Sequence, residues 1–247
     1  MNHVPKLSAQ EGLLTDKNIL ITGSGSGIGR AVAKAAAEQG ANLILLSKDI
    51  KKLYSLQDEI CKEGHKEPLV VELDFFKAKE KDYKTLAENL YDQYEHLDGL
   101  VHIAGILGYL SPIINTSLSQ LKTVMQVNFE SNFLLTQLAL PLVLQSQNPS
   151  IIFTSSGVGR KARAFWTSYS ISKFAVEGLM QSLADEYEND MRVNSYNPGP
   201  TRTNMRAQAF PAEDPQTLRT PEVIANDYLW LLSDQCKETG VMYNYHE

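Results

Sequence analysis

The chain has 247 residues, of which 43% are hydrophobic and 21% charged, and its 29 acidic against 23 basic side chains leave a net charge of −6. This composition excludes wholesale disorder and suits one or two folded domains, while the acidic balance argues against a nucleic-acid binder built on a broad positive face. Two cysteines, Cys61 and Cys236, make neither a disulfide framework nor a zinc ribbon and suit a reducing compartment.

Residues 1–14 carry no apolar segment of the secretory type, and no apolar run approaches the roughly 18 residues of a membrane span, so a cytoplasmic protein without a membrane partner is expected. Asn18–Thr22 reads as a first strand and runs into the glycine-rich stretch Gly23–Gly29. Ile28, Ala31, Val32, Ala35 and Ala36 then fall on one helical stripe, which Gly40 ends as a C′ glycine. Further strands are expected at Leu43–Leu46, Leu69–Leu73, Leu100–Ile103, Ile151–Phe153 and Arg192–Tyr196. Helices are expected at Ile50–Lys62, at Tyr83–Tyr94 and from about Leu118 to Gln147. Such alternation of strands and helices implies right-handed crossovers and a parallel sheet covered on both faces, an α/β Rossmann-type doubly wound sheet in three layers. With no repeat and no linker, residues 1–247 read as a single dinucleotide-binding domain. Five of the ten prolines crowd between Pro198 and Pro221, which reads as a long ordered loop, a lid-like insertion at about 200–220.

A glycine-rich turn between a strand and a helix lets backbone approach a pyrophosphate, which the helix N-terminus then attracts. Gly23, Ser24, Ser26, Gly27, Ile28 and Gly29 are therefore candidates for cofactor binding, and no Gly-Lys-Ser/Thr follows that would make the turn a P-loop. At the end of the second strand, where a carboxylate would bind a ribose 2′-hydroxyl, the chain has Ser47 and Lys48. Lys48 would attract a 2′-phosphate, which favours NADP(H) and leaves NAD(H) open, with the adjacent Asp49 pulling the other way. The five histidines show no metal-ligand spacing, and no metal is expected. Tyr169 and Lys173 lie four apart on one helix face that Val176 and Met180 continue inward. A neighbouring ammonium favours a phenolate, so Lys173 is expected to lower the proton affinity of the Tyr169 hydroxyl.

Together these residues resemble the short-chain dehydrogenase/reductase family. Thr22-Gly23-Ser-Gly-Ser-Gly27-Ile28-Gly29, Asp74, Ala104-Gly105, Asn128, Ser156, Tyr169-x-x-x-Lys173 and Asn197-Pro198-Gly199 occur in that family's order, from about residue 14 to 240. The stretches Phe153–Arg163 and Asn197–Arg206 further resemble the bacterial YciK-like oxidoreductases. The resemblance implies that Tyr169 is the acid/base, Lys173 its activator, Ser156 the partner of the substrate oxygen and Asn128 the anchor of a proton relay. It places Asp74 against adenine, Ala104, Gly105, Pro198, Gly199 and Thr201 along the cofactor with Tyr169 and Lys173, and Thr203 at the nicotinamide carboxamide.

The sequence also departs from the family pattern. His102-Ile103 replaces a pair of asparagines, the second of which ties sheet backbone in the family. Ser26 stands where many NADP(H)-dependent members carry a basic residue, and Gly240–Glu247 lacks a frequent Asp-Gly-Gly ending. The implied activity is hydride transfer between NADP(H) and a small carbonyl/alcohol substrate by a homodimer or homotetramer built on the helix 118–147 and the Tyr169 helix. The alternatives are a non-catalytic dinucleotide-binding regulator and a same-fold enzyme acting on a C=C bond. Arg160, Lys161, Arg163, Arg202 and Arg206 suggest a positive pocket mouth for an acidic or phosphate-bearing carbonyl, and Ile106-Leu107-Gly108-Tyr109 an apolar wall.

Overall fold

The apolar runs of the sequence become the strands of one sheet. The computed structural model describes residues 2–7 and 11–245. The strands are β1 (Asn2–His3), β2 (Asn18–Thr22), β3 (Asn42–Ser47), β4 (Leu69–Glu72), β5 (Gly99–His102), β6 (Ser150–Thr154), β7 (Arg192–Asn197) and β8 (Met242–Asn244). All pair in parallel, in the order β1-β8-β7-β6-β5-β2-β3-β4. The chain winds outward from β2 through β3 to β4, then returns to β5 and winds the other way. The strand order therefore reverses between β2 and β5, and ligands of doubly wound sheets bind outside the carboxyl ends of strands at such a switch point.

Helices cover both faces. On one side α1 (Gly27–Glu38), α2 (Ile50–Lys62) and α8 (Pro221–Leu232) bury Val32, Ala36, Leu53, Ile224 and Leu231 against Ile19, Ile21 and Leu45 of the sheet. On the other, α3 (Glu80–Gln93), α4 (Leu118–Met125), α5 (Ser131–Val143) and α6 (Thr167–Glu186) bury Leu86, Leu135, Val176 and Met180 against Leu20, Leu100 and Ile151. Side chains fully withdrawn from water on both faces explain why β2, β3 and β6 read as continuous apolar runs rather than alternating ones.

Several boundaries differ from the sequence reading. Helix α3 begins three residues early, because the Asp82 carboxylate accepts from the Lys79 amide at 2.8 Å while the Asp82 amide donates to the Lys79 carbonyl at 2.8 Å. The helix expected over 118–147 is interrupted: residues Gln126–Glu130 form a π turn between α4 and α5, and α5 ends at Val143. Within the proline-rich segment lie α7 (Asn204–Ala209) and a short 3-10 turn, and Pro221 opens α8 at its first position, where the missing amide costs nothing. The last residues of the Gly240–Glu247 stretch, His246 and Glu247, lie outside the described residues, while Met242–Asn244 form β8. Among the described residues no helix is long and apolar enough to cross a membrane.

Candidate active site

The turn after β2 is shaped by two glycines. Gly23 has φ +69°, and a Cβ on it would lie 2.9 Å from the backbone of Ala104; a Cβ on Gly29 would lie 2.4 Å from the Gly23 carbonyl oxygen. Only glycine lets the turn fold so tightly between helix and sheet. Ser26, at the N-cap of α1, makes no side-chain cap, so the first amides of the helix are left for a ligand. Thr22 accepts from the amides of Ile103 and Ala104 at 3.0 and 3.1 Å and donates to the Val101 carbonyl, so it ties the β2 and β5 ends together where the asparagine of the family pattern is missing. Ile103 instead packs against the core.

A cleft of about 2070 Å³ runs over these strand ends. It is lined by Gly23, Ser26, Gly27, Ile28, Ser47, Lys48, Asp74, Ala104, Gly105, Ser156, Tyr169, Lys173, Pro198, Gly199, Thr201 and Thr203. Three residues singled out in the sequence stand behind the cleft wall. Ser24 is buried with its hydroxyl on the Leu46 carbonyl, Gly29 lies under the turn, and Asn128 is fully buried. At the far end Lys48 borders the cleft, whereas Asp49 turns away to cap α2, accepting from the Lys52 amide at 3.2 Å. Arg30 and Lys34 add two cations there, with Arg30 paired to Glu59 at 2.5 Å and Lys34 to Glu63 at 2.8 Å. Sequence reasoning missed both; their i, i+4 spacing off the apolar stripe of α1 was the available signal.

At the other end the catalytic candidates converge. Ser156 follows β6, and Tyr169 and Lys173 project from the first two turns of α6. The Lys173 Nζ donates to the Thr154 carbonyl at 2.7 Å and lies 5.6 Å from the Tyr169 ring centre. Asn128, on the π turn, accepts from the Ile106 amide at 2.8 Å and donates to the Ile106 carbonyl at 2.9 Å and the Ser172 hydroxyl at 3.0 Å. A Cβ on Gly105 would lie 3.3 Å from Asn128 Oδ1 and 3.9 Å from Lys173 Nζ, so the loop after β5, the π turn and α6 meet at one point. π turns inside α-helices are often found at functional sites.

Burial dominates the proton equilibria here. It pushes the Tyr169 hydroxyl up to about 12, with the neighbouring Ser156 hydroxyl pulling weakly the other way, and it lowers Lys173 to about 8, with Glu177 opposing. Loss of hydration thus pushes Tyr169 in the direction opposite to the one expected from the Lys173 ammonium, and favours the neutral phenol. His102, at the end of β5, is fully buried and stacked on Phe153 with its Nε2 against the Thr136 hydroxyl at 2.9 Å. Burial, then the Lys173 charge, lowers it to about 3, so it is neutral near pH 7.

Of the five cations expected at the pocket mouth, Arg202 and Arg206 line the cleft and Arg160, Lys161 and Arg163 do not. Arg160 turns inward and pairs with Glu177 at 2.9 Å, and Arg206 pairs with Glu213. Arg202 donates to the Pro215 and Leu218 carbonyls, and Arg163 stacks over Trp166 and Phe210. Lys161 is exposed and absent from the cleft lining. Beside Arg202 and Arg206, apolar or neutral side chains line this end, from Ile106, Leu107 and Tyr109 to Val124, Trp166 and Met205.

Comparison with known proteins gives the family. Residues 17–214 match the family model described as short chain dehydrogenase. The uncharacterised oxidoreductase YciK of Escherichia coli K12 is 44% identical over 245 residues, spanning 99% of this chain and 96% of that protein. The solved E. coli yciK structure superposes with TM-score 0.94 at 45% identity, covering 96% of this chain and 98% of that one. A chain assigned to the short chain dehydrogenases from E. coli CFT073, solved in complex with NADPH, gives TM-score 0.94 at 45% identity over 96% and 99% of the two chains. With a full-length match, a parallel sheet reversing between β2 and β5, and the serine, tyrosine and lysine in one cleft, the chain belongs to the short-chain dehydrogenase/reductase family of oxidoreductases.

Proposed function

We propose that the chain transfers a hydride between NADP(H) and the carbonyl/alcohol group of an uncharged, largely apolar substrate, with Ser156, Tyr169 and Lys173 as catalytic residues and Asn128 as their anchor. The observation that carries the reading is the convergence of these groups at one end of a cleft whose other end carries the glycine turn with Lys48 and Arg30 beside it. The residues present fit a dinucleotide. The tight glycine turn and the uncapped start of α1 would hold the pyrophosphate, Asp74 the adenine, Thr201 and Thr203 the nicotinamide side, and Ser47, Lys48 and Arg30 a 2′-phosphate. With Asp49 committed to α2, no carboxylate at the end of β3 opposes that phosphate, and a relative of 45% identity is solved with NADPH. NADPH, when bound, supplies the hydride.

The protein's own part is proton handling and orientation. A buried, protonated Tyr169 is suited to donating its proton to a developing alkoxide when the carbonyl is reduced. The Ser156 hydroxyl would hydrogen-bond the same oxygen and stabilise its charge. Lys173, lowered to about 8, is poised to re-supply the tyrosine near neutral pH. Asn128 fixes both backbone groups of Ile106 and so the wall on which substrate and cofactor would meet. The segment 198–221 would act as a lid within the single domain. The half-exposed Phe133, Ile171 and Phe174 on α5 and α6 would be covered in a homodimer or homotetramer.

The test is a panel of apolar aldehydes and ketones, with 3-oxoacyl and phosphate-bearing compounds for contrast, scored for NADPH and NADH consumption. NADPH-dependent reduction of the apolar members, lost in Tyr169→Phe without loss of NADPH binding, is the expected result. NADPH binding without turnover of any member would favour the regulatory alternative, and turnover restricted to C=C bonds would favour the other.

A further inference from the structure

The network behind Lys173 is used by none of the roles above. One helical turn beyond Lys173, Glu177 lies on the same inward face of α6 and is only 4% exposed. Its Oε1 accepts from Arg160 Nε at 2.9 Å and its Oε2 from the Ser195 hydroxyl at 2.6 Å. Arg160 is in turn clamped: Nη1 donates to Asn244 Oδ1 at 2.8 Å and Nη2 to the Tyr243 carbonyl at 3.0 Å. The turn carrying Arg160 presses on α6 so closely that a Cβ on Gly159 would lie 2.7 Å from Lys173 Cβ. Strands β7 and β8 thus grip the catalytic helix through one buried ion pair placed directly behind its lysine.

We propose that Glu177 is the positioning residue for Lys173, a counter-charge that Arg160 and Ser195 hold one turn behind the ammonium so that the lysine stays cationic and aimed at the cleft. Burying a charge without compensation is costly, and a buried lysine sheds its proton unless an anion faces it. The other groups around Lys173 cannot supply that anion. Tyr169 on α6 and Tyr228 on α8 are held as neutral phenols by burial, His102 on β5 is neutral, and Asn128 on the π turn is uncharged. Arg160, the remaining charge in the network, is a cation and is committed to Glu177. Glu177 is the buried carboxylate in this network, and its field opposes the effect of burial on Lys173. The inference rests on the catalytic role given to Lys173 above, but its test reads the lysine itself.

The experiment follows the Lys173 ammonium by nitrogen-detected NMR of lysine-labelled full-length protein across pH 5 to ~10, with Lys173→Arg to assign the signal. Glu177→Gln is expected to move the titration toward acid by about one pH unit, which is tenfold in the proton equilibrium, while Glu177→Asp restores most of the shift. The double variant R160M/E177M removes the Arg160–Glu177 pair whole, so it should keep the fold if the single change does not, and with the Arg160 cation also gone it should move the titration toward acid by less than the single change does. Where turnover is measurable, the alkaline limb of the kcat profile should move with the titration. A merely structural role would lower kcat in parallel at every pH and leave the lysine titration in place. An unmoved titration in a folded variant overturns the proposal whether or not the chain reduces carbonyls; a moved titration without carbonyl turnover upholds it and overturns only the proposed reaction.

Discussion

Asn128→Ala offers the sharpest test of how the site is held. The side chain is fully buried and makes three hydrogen bonds, to both backbone groups of Ile106 and to Ser172. At a net value of about 1 kcal/mol for each bond the loss is about 3 kcal/mol. Orphaning the Ile106 amide and carbonyl adds to this, though only modestly, because Ile106 is half-buried and water can reach the gap. The expected destabilisation is therefore about 3–4 kcal/mol, or roughly a 10 °C fall in Tm for a chain of this size. Urea unfolding followed by the fluorescence of Trp166 and Trp230 measures it. Asn132→Ala, one turn further on, is the matched control, since its buried Oδ1 has no partner. A loss below about 1 kcal/mol in Asn128→Ala, or one equal to that of the control, would refute the claim that the π turn anchors the loop after β5.

Other substitutions separate charge, burial and binding. Lys173→Met should abolish turnover yet raise stability at pH 7 by about 1–2 kcal/mol, because the depressed lysine carries a burial cost below about pH 8 that is relieved only as pH rises toward the unfolded value; the lost bond to Thr154 offsets part of the gain. Thermal scans at pH 7 showing a lower Tm would contradict it. Between pH 6.5 and about 3 the unfolded chain binds a proton at His102 that the folded one does not. Stability should fall on acidification by at most about 1.4 kcal/mol per pH unit across that window, and His102→Asn should flatten the urea midpoint's dependence on pH. Lys48→Glu should weaken NADPH about 10- to 100-fold in a fluorescence titration and change NADH little, since it sets an anion before the 2′-phosphate in a partly hydrated site. Equal losses for both cofactors would place the phosphate elsewhere.

The outline of the fold was readable because buried parallel strands are written as unbroken apolar runs. β2, β3 and β6 could hardly be missed, whereas β8 could: Met242–Asn244 is three residues long, alternates in burial and gains its identity only by lying beside Ser195–Asn197. Helix α8 was hidden behind prolines that signal a loop, although Ile224, Ala225, Tyr228, Leu231 and Leu232 fall on one face of it. Site residues that follow strand ends were readable from motif spacing, and the structure gathers Ser156, Tyr169 and Lys173 in one cleft. What local sequence could not convey was direction and burial. Arg160 sits beside Lys161 and Arg163 in the chain, yet it points inward because Glu177 and Asn244, 17 and 84 positions on, receive it. The protonation of Tyr169 depends on how deeply α6 sinks, which no spacing encodes.

The π turn at Gln126–Glu130 amounts to one residue more than a straight helix between Leu118 and Val143 would need. An α-helix turns about 100° per residue and a π turn less, so the five residues of this turn advance around the axis as far as about four of an α-helix. Taking one residue out would therefore let the stretch close into continuous α-helix with Leu135, Ala139 and Leu142 still facing the core. What would be lost is the local swelling that carries Asn128 under the loop after β5. A single-residue deletion in the turn should therefore spare the fold and loosen that loop, whereas a deletion within α4 itself would turn everything beyond it by about 100°.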